Sequence, residues 1–130
     1  MKIMVGYDGS NSSKEALRVA KKHAAAFNAK VHVVHSMESG TDSEREEITA
    51  MEKELDWAKS YFEKEDTACD THILIRGLAP GEDLAAFAKE KGIDAVFVGI
   101  KRRSRVGKIL MGSNAQYVIL KAPCPVISVK

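Results

Sequence analysis

Residues 96–114 run Val96-Phe97-Val98-Gly99, then a basic segment, then Met111-Gly112-Ser113-Asn114. The first four residues are typical of a short buried strand, and the last four predict the start of a helix. Backbone N–H groups are unpaired at a helix N-terminus, where the macrodipole adds roughly half a positive charge. Glycine there lets an anion approach the backbone without meeting a Cβ atom. The stretch therefore predicts a strand, a basic loop and a helix that together can hold phosphate.

Working outward, apolar runs alternate with helical patterns along the whole chain. Strands are predicted at 3–6, 31–34, 71–75, 95–99 and 126–129, with helices at 11–27, 43–65, 80–91 and 113–121. Ser12 and Glu15 have the spacing of a capping box at the first helix. Continuous apolar strands indicate a parallel sheet with helices on both faces. Right-handed crossovers then favour a single Rossmann-like domain over 1–130, a doubly wound five-stranded sheet of order 3-2-1-4-5.

The predicted topology also places a ligand site. In doubly wound sheets, ligands bind outside the carboxyl ends of the strands where the winding reverses, here between strands 1 and 4. Strand 1 leads into Gly6, Tyr7 and Asp8, and strand 4 ends at Val98 and Gly99. We therefore expect Asp8 and the predicted helix start at Ser113 to face one crevice.

Composition excludes several classes of protein. No apolar run approaches the roughly 20 residues of a transmembrane helix, and the first residues do not resemble a signal peptide, so a cytoplasmic location is expected. The two cysteines lack metal-ligand spacing. His32 and His35 are three apart on a strand and so face opposite sides, while His72 has no obvious partner. No histidine metal site is predicted.

Charge is distributed unevenly. Residues 38–66 hold eleven acids and four bases, whereas residues 101–130 hold seven bases and no acid. The basic segment suits a local anion site, although a charge run can also be a solvated face. Nucleic-acid binding is not favoured, because no aromatic residue that could stack on bases lies among residues 100–116.

The chain resembles the universal stress protein family over its whole length. The resemblance rests on Val5-Gly6-Tyr7-Asp8-Gly9-Ser10, on Gly77-Leu78-Ala79-Pro80-Gly81-Glu82 and on Ala122-Pro123-Cys124-Pro125-Val126. The family's ATP-binding branch has a signature of glycine, two residues, glycine, nine residues, glycine, then serine or threonine. Gly99, Gly112 and Ser113 match it, and Arg102 replaces the second glycine.

The resemblance implies roles for individual residues. It places Asp8 near adenosine, Ser36 at the adenine pocket and Gly99 under the ribose and phosphates, with Gly112, Ser113 and Asn114 holding the phosphates. Arg102 could obstruct the nucleotide, or its guanidinium could donate to the phosphates in place of backbone N–H groups. From the residues alone, Ser113 could instead be an ordinary N-cap, and Asp8 could be a turn residue held by its own backbone.

The function predicted from this resemblance is a cytoplasmic stress-response protein that binds ATP, with Mg²⁺ on the phosphates. It would act as a nucleotide-dependent switch or interaction module for a protein partner that the sequence does not name. The alternative is a dimeric interaction module whose crevice Arg102 blocks. No catalytic residues are predicted, so the activity is at most slow ATP hydrolysis. Residues 126–129 form a sheet edge in this topology. We expect a homodimer through that strand, because the resemblance to the family implies pairing of two copies there.

Overall fold

The computed structural model describes residues 1–38, 44–100 and 112–130. Strands and helices alternate in the order β1 (Lys2–Gly6), α1 (Asn11–Phe27), β2 (Lys30–Ser36), α2 (Glu44–Glu63), β3 (Cys69–Leu74), α3 (Pro80–Lys91), β4 (Ala95–Gly99), α4 (Ser113–Lys121) and β5 (Val126–Val129). Every strand pair is parallel, and the sheet order is β3-β2-β1-β4-β5. The predicted fold class and strand order are confirmed.

The sheet separates two apolar layers. Ile3 and Val5 of β1 face the layer formed with α1 and α2, whereas Met4, between them, faces the layer that contains Leu84 and Phe87 of α3. Both faces of the central strands are therefore covered, which explains their continuous apolar sequence. No helix in the described ranges is long and apolar enough to cross a bilayer.

The first helix begins differently from the capping-box prediction, which is wrong. Its N-cap is Ser10, whose Oγ accepts a hydrogen bond from the Ser13 amide at 3.2 Å. The turn before the helix decides this, because Gly9 has a φ of 81° and the Asp8 carboxylate accepts from the Ser10 amide. The turn delivers Ser10 to the cap position ahead of Ser12.

Candidate functional site

A cavity of about 590 Å³ lies at the carboxyl ends of β1 and β4, where the winding of the sheet reverses. Its size falls within the range of small-molecule sites, roughly 300–1,000 Å³. Nine of the predicted site residues line it, namely Gly6, Tyr7, Asp8, Ser36, Val98, Gly99, Gly112, Ser113 and Asn114. The tenth, Arg102, lies outside the described residues. The structure thus brings Asp8 and Ser113 into the lining of one cavity.

Three helices begin at this cavity. Ser12 of α1, Pro80 of α3 and Ser113 of α4 all contribute to its lining. Each helix start carries a partial positive charge, and its first backbone N–H groups have no acceptor within the same helix. The lining is therefore suited to an anionic group.

Among the described residues, α4 begins without a side-chain N-cap, as α3 does, whereas α1 has one. The N-cap of α4 is Gly112, with an extended φ of −64° and ψ of 159°, and no side chain in the described ranges makes the capping hydrogen bond. Ser113 is the first helical residue, so the interpretation of Ser113 as an ordinary N-cap is wrong. Ser113 and Asn114 line the cavity, so the N–H groups at the start of α4 lie at its wall.

Asn114 has a structural task in addition to its place in the lining. Its Oδ1 accepts a hydrogen bond from the Gly81 amide at 2.9 Å, which ties the start of α4 to the start of α3. A Cβ atom at Gly81 would lie 2.8 Å from the Asn114 carbonyl oxygen, so glycine permits this close approach. The Asn114 side chain thus positions two helix N-termini against each other.

The glycines that match the family signature serve different physical purposes. A Cβ atom at Gly99 would lie 2.7 Å from the Ser13 amide nitrogen and would overlap the carbonyl group of Ser12. Glycine at 99 therefore lets the start of α1 approach the end of β4. A Cβ atom at Gly112 would meet nothing within 4 Å, so no packing among the described residues requires glycine there.

The end of β1 contributes main chain and one carboxylate. The Tyr7 side chain is buried in the α1–α2 layer, and its hydroxyl donates to Glu54 Oε2 at 2.6 Å. Burial, together with that carboxylate, raises the pKa of Tyr7 above its usual range. Asp8 accepts from the Ser10 amide at 2.9 Å, so it holds the turn, as one interpretation of the sequence proposed, and also lines the cavity.

Ser36 is held by the buried carboxylate of Asp83, whose ion pair with Arg76 the sequence analysis missed. Its Oγ donates to Asp83 Oδ2 at 2.7 Å, and Asp83 is 0% exposed. The Arg76 Nε donates to the other Asp83 oxygen at 2.6 Å, and hydrogen bonds from Arg76 to Glu90 and to Asp83 raise the pKa of the guanidinium. Acids are ordinary in the first turn of a helix, so the position of Asp83 in the sequence carried no signal.

His35 lines the cavity, although the sequence analysis did not place it there. Its Nδ1 lies 2.9 Å from the Tyr7 carbonyl oxygen, which can only accept, so Nδ1 donates this hydrogen bond. The Nε2 of His35 is buried and has no hydrogen-bond partner within the described residues; Glu47 Oε1 lies 4.0 Å away. The separation of His35 from His32 onto opposite faces is as predicted.

The two sides of the cavity differ in charge. Glu38 follows β2 and Glu47 lies on α2, so these acids line the β2 side of β1. The α4 N-terminus follows β4 and lines the opposite side. A ligand with a neutral, hydrogen-bonding end and an anionic end matches this polarity.

Comparison with known proteins gives a consistent result. The family model described as "Universal stress protein family" matches residues 1–130. A universal stress protein of Thermus aquaticus, named for its place in the QAH/OAS sulfhydrylase 3′ region, is 31% identical over 139 aligned positions, which cover 98% of this chain and 97% of that protein.

Two solved structures from Archaeoglobus fulgidus are also similar over nearly their whole length. One universal stress protein is 39% identical with a TM-score of 0.90, and the match covers 100% of this chain and 98% of that one. Another, solved in complex with dAMP, is 36% identical with a TM-score of 0.83 and the same coverage. The fold, the full-length family match and these identities together establish that the chain belongs to the universal stress protein family.

Proposed function

We propose that this protein binds an adenine nucleotide, ATP foremost, in the cavity between β1 and β4. The observation that carries the proposal is the α4 N-terminus, which lacks a side-chain cap among the described residues and opens onto that cavity. Its unpaired amides suit a phosphate, and the acidic β2 side suits the hydroxyl and amino donors of a nucleoside. A relative 36% identical to this chain was solved with dAMP, which supports the same class of ligand here.

The proposed pose assigns the phosphates to Gly112, Ser113 and the Asn114 amide. Gly6, the Tyr7 main chain and Asp8 face the nucleoside, together with Ser36; Val98 and Gly99 form the floor. Mg²⁺ would be held by the phosphates of ATP rather than by a protein ligand set. Binding, rather than catalysis, is the proposed activity, with at most slow hydrolysis.

The first experiment asks whether nucleotide is bound. Acid extraction of the purified protein followed by chromatography is expected to release an adenine nucleotide, and millimolar ATP is expected to raise the melting temperature. A ligand at 100 times its Kd stabilises the folded state by about 2.7 kcal/mol. GTP is the matched comparison. If no nucleotide is released and ATP gives no thermal shift, the proposal is refuted.

Variants test the phosphate position. Ser113→Ala removes a hydroxyl donor to a charged group, worth about 1.5–3 kcal/mol, so ATP affinity should fall roughly tenfold or more. Ser60→Ala is the control, because Ser60 is an exposed serine of α2 that does not line the cavity. Equal ATP affinity in both variants would contradict the proposed pose.

The role proposed for binding is that of a nucleotide-dependent switch or interaction module in the cytoplasm, acting on a protein partner as a homodimer. The edge position of β5 in the described sheet supports pairing of two copies through Val126–Val129. Sedimentation is expected to give twice the 14.2 kDa chain mass. A monomer at all concentrations would exclude the dimer and would leave the proposal of nucleotide binding unaffected.

The second candidate is a module that does not bind nucleotide, and the arginine at position 102 favours it. Arg102→Gly restores the glycine of the signature and separates the two candidates. If the substitution creates ATP binding, Arg102 obstructs the cavity in the natural chain. If it weakens existing binding, the guanidinium contributes to holding the phosphates.

A further inference from the structure

Two histidines and an aspartate lie close together on β2 and β3, outside the lining of the cavity between β1 and β4. The β2–β3 register pairs His32 with Asp70 and Val34 with His72. Side chains two residues apart on a strand share a face, so all three polar side chains project to the same side of the sheet. The interpretation that His72 lacks a partner is therefore wrong: His32 Nδ1 and His72 Nε2 are 3.0 Å apart.

We propose that His32, Asp70 and His72 bind a divalent transition-metal ion of the zinc type. One ligand atom from each residue lies within 4.8 Å of the other two. Two imidazole nitrogens and one carboxylate oxygen are a ligand set that suits Zn²⁺, whereas Mg²⁺ and Ca²⁺ prefer oxygen ligands alone. The fourth position of a tetrahedral ion would be left to water or to an external ligand.

The nitrogen separation fits such an ion. With Zn–N bonds of about 2.05 Å and a tetrahedral angle, two ligating nitrogens lie about 3.3 Å apart. The observed 3.0 Å between His32 and His72 therefore needs an opening of only about 0.3 Å. A small rotation of the His72 imidazole, the less buried of the two, supplies it.

The protonation states also suit metal binding. Burial is the main factor that lowers the pKa of His32 and of His72, which favours the neutral imidazole that a metal requires. One of the two facing nitrogens carries the proton of their hydrogen bond. When a metal replaces that bond, the proton moves to the other nitrogen of the same ring, and no net proton is released.

Asp70 is available as the third ligand because its present partner is exposed. Its Oδ2 pairs with Lys30 Nζ at 2.8 Å, which lowers the pKa of the carboxyl and keeps it ionised. The two side chains are 45% and 48% exposed, and exposed pairs of this kind contribute about 0–1 kcal/mol. A dication can therefore displace the lysine at little cost.

The packing around the rings restricts their orientation. Phe87 of α3 contacts both, with ring centroids 4.8 Å from His72 and 6.1 Å from His32. His32 is 6% exposed, so its position is fixed by the core. A partly prearranged pair loses less conformational entropy on binding than two free surface histidines would.

The test is titration of the metal-free, full-length protein with Zn²⁺ by calorimetry. We expect one ion per chain, and His72→Ala should weaken the affinity by at least about tenfold, since even loss of a residue that only supports a ligand costs 10–100-fold. Asp70→Asn should weaken it less. His23→Ala is the matched control, because His23 lies on α1 and its Nδ1 contacts the Val19 carbonyl; its affinity should be unchanged.

Two readouts keep the test decisive if His72→Ala fails to fold. Co²⁺ in the natural chain should give visible bands of a tetrahedral nitrogen–oxygen site and should shift the NMR signals of His32 and His72 selectively. A thiolate charge-transfer band would place the ion at Cys69 or Cys124 and overturn the proposal. So would the absence of Zn²⁺ binding, or equal affinity in the His72→Ala and His23→Ala proteins.

Discussion

Replacing Gly99 with alanine tests why glycine stands at the end of β4. The added Cβ atom would lie 2.7 Å from the Ser13 amide nitrogen and would overlap the Ser12 carbonyl group. Non-bonded contacts between heavy atoms are optimal at about 3.5–4.0 Å. The start of α1 would therefore have to retreat from the sheet by roughly 1 Å.

The size of the effect follows from what must move. Overpacking costs about 1–3 kcal/mol, and the upper end applies because the obstacles are helix backbone rather than a flexible side chain. The smaller entropy of the unfolded alanine chain returns about 0.4–1 kcal/mol. A net loss of about 2–2.6 kcal/mol is expected, which corresponds to a melting temperature roughly 10 °C lower for a domain of this size.

Urea denaturation followed by circular dichroism measures the loss, and Gly112→Ala is the matched control. Among the residues that the structure describes, a Cβ atom at Gly112 meets nothing within 4 Å, and the extended backbone there accepts alanine. The entropy gain of the alanine variant, about 0.4–1 kcal/mol, is offset by the lower preference of alanine for the N-cap position. That variant should therefore stay within about 0.5 kcal/mol of the natural chain. If Gly99→Ala also stays within that range, the close approach of α1 to β4 is not what requires glycine.

The remaining predictions concern the buried groups. Arg76→Ala leaves the Asp83 carboxylate buried without its cation and should lower the free energy of unfolding, measured in urea, by about 2 kcal/mol. This is less than the roughly 3–5 kcal/mol of a fully buried pair, because the Arg76 side chain is 34% exposed. An unchanged urea midpoint would contradict this. Because the folded chain holds the Tyr7 proton above its ordinary pKa of 10.0, the unfolded chain loses that proton first, and stability should fall above pH 10 by about 1.4 kcal/mol per pH unit. Tyr7→Phe should show a slope shallower by that amount, and equal slopes would refute the assignment. Burial raises the pKa of Cys69 to about 12 and also raises the pKa of Cys124. Because Cys69 is only 4% exposed, iodoacetamide at pH 8 should label Cys124 first, as peptide mass spectrometry would show. Faster labelling of Cys69 would indicate local opening of β3.

The placement of the cavity was predictable because it depends on local patterns and one general rule. The apolar run at 95–99 and the glycine-serine helix start at 112–113 could be recognised without knowing what packs against them. Ligand sites in doubly wound sheets lie where the winding reverses. The prediction that Asp8 and Ser113 share a crevice required nothing beyond these observations.

The contacts within and beside the cavity were not predictable in the same way. Ser36 lies 47 positions from its partner Asp83, and His32 lies 40 positions from His72. Each pair forms because a register or a helix position brings together residues that have no local signal of their own. The same holds for Gly99, since a sequence cannot show that a helix begins within 2.7 Å of its absent side chain.

The amino-acid sequence by itself determined the order of the elements, the parallel sheet and the end of the sheet that carries the cavity. These features follow from hydrophobic periodicity, turn residues and the handedness of crossovers. The rules that govern them act over short stretches and hold for every chain. Only the tertiary structure decided which polar groups are paired, which glycine is required by packing and which histidines meet. Those outcomes depend on strand register and on interatomic distances of a few ångströms, and both are set by the packing of the whole domain.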